Sequence, residues 1–297
     1  MPLIINTNVS SLTAQRHLGL NTNMLSKSME KLASGYRINR AGDDAAGLQL
    51  SENLRAQIRG SKKALDNTQD GLNVLNIADG AFQTITDNLQ RARELVVQAN
   101  NDTYNTSQRA AIETEITQLF KDIDRIAQAA KFNGVDLMSA SAPASFILQV
   151  GANNVANVDT IDVASALGTS LAEALFATAL ATAIWTSTVG TLQTALSGAA
   201  PHTAASTMLS QIDVAIATVN GKRGRLGAMV NRLEGAVNNL SVSIENLSSS
   251  ESRIRNVDVA EESALLTRNQ ILQQAASTIL SQANQTPQLA LQLLKGG

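Results

Sequence analysis

The chain has 297 residues, 16% of them charged and 3% aromatic, with a formal net charge of −2. So thin and balanced a charge argues against nucleic acid or an anionic membrane as the main partner, because both are held by concentrated Lys and Arg. With no cysteine in the sequence, disulfides, thiolate chemistry and cysteine metal sites are excluded together.

The first segment, Met1 to Gln15, has no basic stretch leading into an apolar run, so it reads as no secretory signal. No window approaches the ~18 consecutive apolar residues of a membrane span, and membrane insertion is not expected. From Leu18 the heptad spacing starts: Leu18, Leu25 and Leu32 stand seven apart, with Met29 between. This helix should close at Ser34-Gly35, where glycine can take the left-handed conformation. After a polar turn, Arg37 to Gly42, Asp43 or Asp44 is placed to cap the next helix.

A long second helix is predicted from Asp44 to Ala99. Thr68, Leu75, Phe82, Leu89 and Val96 keep one heptad position, and Ala78, Ile85, Ala92 and Ala99 another. Asn100 to Ser107 reads as a turn. A third helix has 3–4 spacing at Ile112, Ile116, Leu119, Ile123, Ile126 and Ala130, and ends before Asn133-Gly134. Two β-forming runs, at 146–151 and 158–163, flank Ala152-Asn153-Asn154 and predict a small hairpin. Ser165 to Ala199 is an Ala/Thr/Leu-rich insert holding Trp185.

The last third has the longest periodicity. Ile212, Val219, Leu226, Leu233, Leu240, Leu247 and Ile254 are all seven apart, beside Leu209, Ile216, Val230, Val237 and Ile244. The phase breaks at Asn256-Val257-Asp258. A final helix resumes with Leu265, Leu272 and Ile279 beside Ala264 and Ile271, and Pro287 should interrupt it after Asn284.

The fold expected is mainly α: a long coiled-coil-like bundle made from the N- and C-terminal parts of the chain, with a small hairpin and a short variable insert. Residues 1–34 and 257–297 should form a terminal helical pair, residues 35–164 and 205–256 the bundle, and residues 165–204 an outer insert. Helices so long and thin cannot bury their own stripes, and polar, small-residue ends of this kind become ordered on meeting a partner.

Nothing here supports catalysis. His17 and His202 lie in different regions, and neither belongs to an H-E-x-x-H run. Gly221, Gly224 and Gly227 do not have phosphate-loop spacing, so close packing or a local bend is their expected role. No catalytic residue, metal site or cofactor is expected.

Several stretches resemble bacterial flagellin. They are Met1-Pro2-Leu3-Ile4-Ile5-Asn6-Thr7-Asn8 with Leu12 to Gln15, Lys31-Leu32-Ala33-Ser34-Gly35-Tyr36-Arg37-Ile38-Asn39, and Gly42-Asp43-Asp44-Ala45-Ala46-Gly47-Leu48. Leu89 to Ala99, Lys131 to Gly134, Gln270 to Ala275, and Ala283 to Gln285 with Pro287 continue the likeness in the family's order. The resemblance covers roughly residues 1–163 and 205–294. It implies a structural subunit that polymerises into the extracellular helical filament of the bacterial flagellum and serves motility. On this reading the terminal helices make the polymerisation interface, through Leu18, Leu25, Leu32, Leu265, Ile271, Leu272, Ile279, Leu293 and Leu294.

The implied partners are other copies of the chain, the flagellar type III export apparatus and its chaperone, the filament cap and the hook-junction protein. The resemblance also implies recognition by a Toll-like host receptor at Arg91, Leu95, Glu115 and Leu119. The alternative within the family is the hook–filament junction protein. A flagellin with an inserted protease lacks support, because the middle segment has no zinc motif. Outside the family, a generic coiled-coil rod would give soluble oligomers without tubes.

Overall fold

The computed structural model describes residues 8–138, 145–153, 155, 158–164 and 201–295, with the backbone alone at 201, 204 and 286–295. Most of the 165–204 insert, with Trp185, lies outside the described residues. Five helices and two two-stranded antiparallel sheets are described: α1 (Val9–Ser34), α2 (Ala45–Ala99), α3 (Thr106–Ala129), β1 (Lys131–Phe132), β2 (Val135–Asp136), β3 (Ile147–Gln149), β4 (Thr160–Asp162), α4 (Pro201–Arg255) and α5 (Val259–Lys295). Both α2 and α4 have 55 residues, about 80 Å each at 1.5 Å per residue.

The chain divides into two compact units, 1–56 with 246–297 and 57–245. The sequence placed this division at residues 35 and 257. The first unit reaches further because the residues after α1 are tied to the end of α4. Arg37 N–H donates to Arg255 O at 2.7 Å and Val257 N–H donates to Gly35 O at 3.0 Å. The Arg255 guanidinium lies over the Tyr36 ring and pairs with Glu52.

Local chemistry sets the helix ends in this unit. Asn8 caps α1 by accepting from Ser11 N–H. Gly35 ends it at φ 74, with its N–H on Lys31 O. Asp43 accepts from the backbone N–H groups of Arg40 and Asn39, which holds its carboxyl below the usual carboxylate range. Asp44 caps α2 through Gly47 N–H at 2.9 Å. A side chain at residue 47 would displace the capping Asp44 carboxylate and crowd the buried Ile38, since a Cβ there would run into Asp44 Oδ2 and lie 2.8 Å from Ile38 Cδ1.

The second unit holds the core. The α2 rows at 75, 82, 89 and 96 and at 78, 85, 92 and 99 are all buried, as are Ile112, Ile116 and Ile123 of α3 and Ile212, Val219, Leu226 and Leu233 of α4. Side-chain pairs mark both contacts as antiparallel: Asp79–Arg223 and Arg93–Asp213 join α2 to α4, and Arg91–Glu115 and Asn88–Asp122 join α2 to α3. The β3–β4 hairpin lies on α2, in the region where the sequence predicts one. Leu148 packs on Gly71, Ala152 on Gly60, and Asn67 Nδ2 donates to Gln149 O.

Four local expectations need correction. Residues 131–136 form a second hairpin, turned by Asn133 (φ 48) and Gly134 (φ 80), where the sequence reading ended a helix and went no further. Helix α4 starts at Pro201, inside the insert's assigned range, with proline in the first turn, where its missing N–H costs nothing. At Gly221, Gly224 and Gly227 an added Cβ would meet nothing within 4 Å, so close packing within the chain does not explain them, and α4 is unbroken there. Finally, α5 runs through Pro287 to Lys295.

Candidate assembly surface

In the first unit α1 and α5 pack together. Hydrogen bonds from Asn21 to Leu272 O, from Asn269 to Ser28 and from Gln273 to Thr22 run antiparallel along the pair, and Lys31 reaches Glu262 at its end. The seam follows a strict heptad on each helix. On α1 it is Ser11, Ala14, Leu18, Asn21, Leu25, Ser28 and Leu32, each buried or half-buried. On α5 it is Glu262, Leu266, Asn269, Gln273, Ala276, Leu280 and Ala283, again each buried or half-buried. This is a seam of small and polar residues with a few leucines, held by hydrogen bonds as much as by apolar burial.

The strongest apolar row of α5 is elsewhere. Leu265, Leu272 and Ile279 precede the seam positions by one residue or follow them by three, and the side chains face outward. Ile271 and Ile279 are 60% exposed and Leu272 40%. On α1, Val9, Leu12, Leu20, Met24 and Met29 are likewise exposed. The sequence reading assigned Met29 to the stripe with Leu25 and Leu32, whereas Ser28 takes that place. Leu18, Leu25 and Leu32 are half-buried in the seam. Leu293 and Leu294 lie in α5 but outside the residues whose side chains are described.

A groove runs along this pair, lined by Val9, Thr13, His17, Leu272, Ala275 and Ile279 among others. Its electrostatic character is unusual. From Asn269 to Leu294 the sequence has no Asp, Glu, Lys, Arg or His, and from Val9 to Ser26 only Arg16 and His17. A helix surface meant to stay in water is normally rich in charge, and this one combines exposed Leu and Ile with Gln, Ser, Thr and Asn. Such a surface suits close contact with another uncharged, small-residue surface.

The residues implied as a receptor surface fall into two groups. Arg91 and Glu115 are exposed and paired across α2 and α3 at 3.0 Å, with Glu94 also on Arg91. The two carboxylates, Glu115 first, raise the guanidinium's pKa. Leu95 and Ala99 are buried in the core, although their i, i+4, i+8 spacing puts them on one face with Arg91, and Leu119 is half-buried against the same core. The helix thus turns Arg91 outward while Leu95 anchors it.

Other polar clusters are structural. Arg109, buried, donates to Asn101 O and Asp102, while His202 faces Asn100 and Asp102. Arg109 and then His202 hold the Asp102 carboxyl below its ordinary range. Lys222 is 5% exposed, and its Nζ has no hydrogen-bond partner among the described residues. Burial lowers its pKa, with Arg225 adding repulsion. Among the described residues no group of three His, Cys, Asp or Glu side chains could hold a metal, and no helix is long and apolar enough to cross a membrane.

A bundle that closes its own core, and a helix pair that turns its apolar rows outward, are the features of a structural protein. Two family models match the sequence, the bacterial flagellin N-terminal helical region over residues 5–142 and the bacterial flagellin C-terminal helical region over residues 209–294. The chain is 42% identical to flagellin of Halalkalibacterium halodurans, covering 99% of this chain and 100% of that protein. It is 42% identical to the flagellar filament 33 kDa core protein of Treponema phagedenis, again over 99% and 100%. With flagellin of Bacillus subtilis the identity is 41%, over 98% and 99%. The chain belongs to the flagellin family, whose members are structural filament proteins, and it is a subunit of the flagellar filament. The filament reading, and not the junction-protein alternative, is the one these relatives support.

Proposed function

We propose that the outward rows of α1 and α5, centred on Leu265, Ile271, Leu272 and Ile279, form the surface through which copies of this chain stack into the filament. Leu18, Leu25 and Leu32 hold the helix pair that presents those rows. The observation that carries this reading is the displacement of the best apolar row of α5 out of its own seam. A head-to-tail contact that does not close on itself generates an open helix. Each Leu or Ile so covered contributes about 1.5–3 kcal/mol, against roughly 1–2 kcal/mol for each residue of backbone that must be ordered. The balance is close for one contact, so many neighbours acting together make the polymer cooperative. Helices α1 and α5 gain their rigidity in this step.

The filament lies outside the cell and serves motility, and the subunit reaches it through the flagellar export apparatus with its chaperone. The filament cap and hook-junction protein are its neighbours at the two ends. The exposed Arg91–Glu115 pair, braced by Leu95 and Leu119, is the surface offered to a Toll-like host receptor.

The deciding experiment substitutes Leu272→Asp or Ile279→Asp and adds filament seeds. The expected result is a subunit with unchanged helical content that gives no filaments by electron microscopy. Filaments of normal length and number from either variant would refute the assignment.

A further inference from the structure

Beyond its first turn, every residue of an α-helix except proline gives its N–H to the carbonyl four positions back. Helix α5 passes through Pro287, so the carbonyl of Ala283 has no such donor. It accepts instead from Asn8 Nδ2, at 2.8 Å. The other end of the same carboxamide is also used: Asn8 Oδ1 accepts from Ser11 N–H at 3.1 Å and closes the start of α1. Beside it, Ser11 Oγ donates to Asn284 Oδ1 at 2.7 Å, and Ser11 is only 8% exposed. One side chain therefore caps its own helix and supplies the donor that proline removes from the facing one.

We propose that Asn8 is a positioning residue that allows α5 to continue through Pro287, so that residues 288–295 are helical only while α1 lies alongside. The chemistry selects asparagine. An aspartate would cap α1 but has no hydrogen to donate, and a serine would cap but lacks the reach. The consequence is that the two extremities of the chain order together. The helix past Pro287 waits on the arrival of the opposite end, and proline is the element that makes it wait. This inference rests on the α1–α5 pairing and not on the self-assembly reading.

The test compares four full-length chains: the parent, Asn8→Asp, Pro287→Ala and the double variant. Amide exchange over residues 288–294 is measured in the soluble chain and after seeded assembly. In whichever state the parent protects these amides, Asn8→Asp should speed their exchange at least about fivefold, the value of one lost hydrogen bond. With Pro287→Ala in place the same substitution should change exchange less than about twofold, because alanine brings its own N–H and the two effects are coupled. Equal acceleration by Asn8→Asp in both backgrounds would overturn the proposal by reducing Asn8 to an ordinary cap. Unchanged exchange in Asn8→Asp, or a parent unprotected over 288–294 in both states, would overturn it as well. Failure of the parent to extend seeds counts only against the self-assembly reading, since exchange in the soluble chain is still read.

Discussion

Two regions of this molecule carry the same heptad grammar and use it in opposite ways. In residues 57–245, the α2 row of Leu75, Phe82, Leu89 and Val96 is at most 2% exposed, and its partners are other helices of the same unit. In the α1–α5 pair the α5 row that is equally apolar on paper points away from the seam, and Ser, Asn, Gln and Ala meet inside it beside a few leucines. Apolar periodicity therefore says that a face will be buried without saying by whom. The chain's own core takes one set of faces, and on the proposed assembly neighbouring copies take the other.

Four substitutions sharpen the contrast. Phe82→Ala removes the largest side chain of the closed core and should cost about 3–5 kcal/mol in a denaturant melt. Ile279→Asp, on the open face, should leave that melt within about 0.5 kcal/mol of the parent. A comparable loss from both would erase the distinction between the regions.

Gly71→Ala should cost less, about 1–3 kcal/mol. A Cβ at that position would run into Leu148 Cδ1, so the Leu148 side chain must move and its packing on α2 is disturbed. Chemical shifts of residues 147–162 would register the displacement. Shifts confined to residue 71 and its chain neighbours would contradict the packing.

The smallest effect is a gain. Lys222→Met should stabilise the second unit by about 1 kcal/mol at pH 7, since it removes a buried amine with no partner. Burial lowers the folded-state pKa of Lys222 beneath the ordinary lysine value of 10.5. Below the folded value the amine is charged in both states, and the folded state carries the cost. Parent stability then recovers as pH rises from the folded value through the unfolded one. The variant's advantage should therefore shrink on approach to pH 10.5. An advantage independent of pH would assign the gain to packing instead.

Much of this was legible in the sequence because heptads and caps are local. The rows of α2, α3 and α4, the Gly35 stop, the Asp44 cap and the hairpin at 147–162 all follow from spacing and turn residues. Asn133-Gly134 carries a strong hairpin signal too, but flanking strands of two residues each leave no alternating run to set beside it. The α5 seam was harder to see. Leu265, Leu272 and Ile279 outshine Asn269, Gln273 and Ala276 on any hydrophobicity scale, and nothing local says that the weaker row is the inner one. Hydrogen-bond partners 241 to 275 residues apart in sequence decide it. The passage of α5 through Pro287 was invisible for the same reason, since the donor that permits it comes from the other end of the chain. Leu95 shows the converse limit: a motif match places it on the Arg91 face, and packing draws it into the core.

Amide exchange measured on the soluble subunit and on the assembled filament tests the central claim most directly. Protection over residues 9–34 and 259–285 should rise sharply on assembly, while residues 74–99 and 205–233 change little. Equal protection of the two chain ends in the lone subunit and in the filament would contradict it.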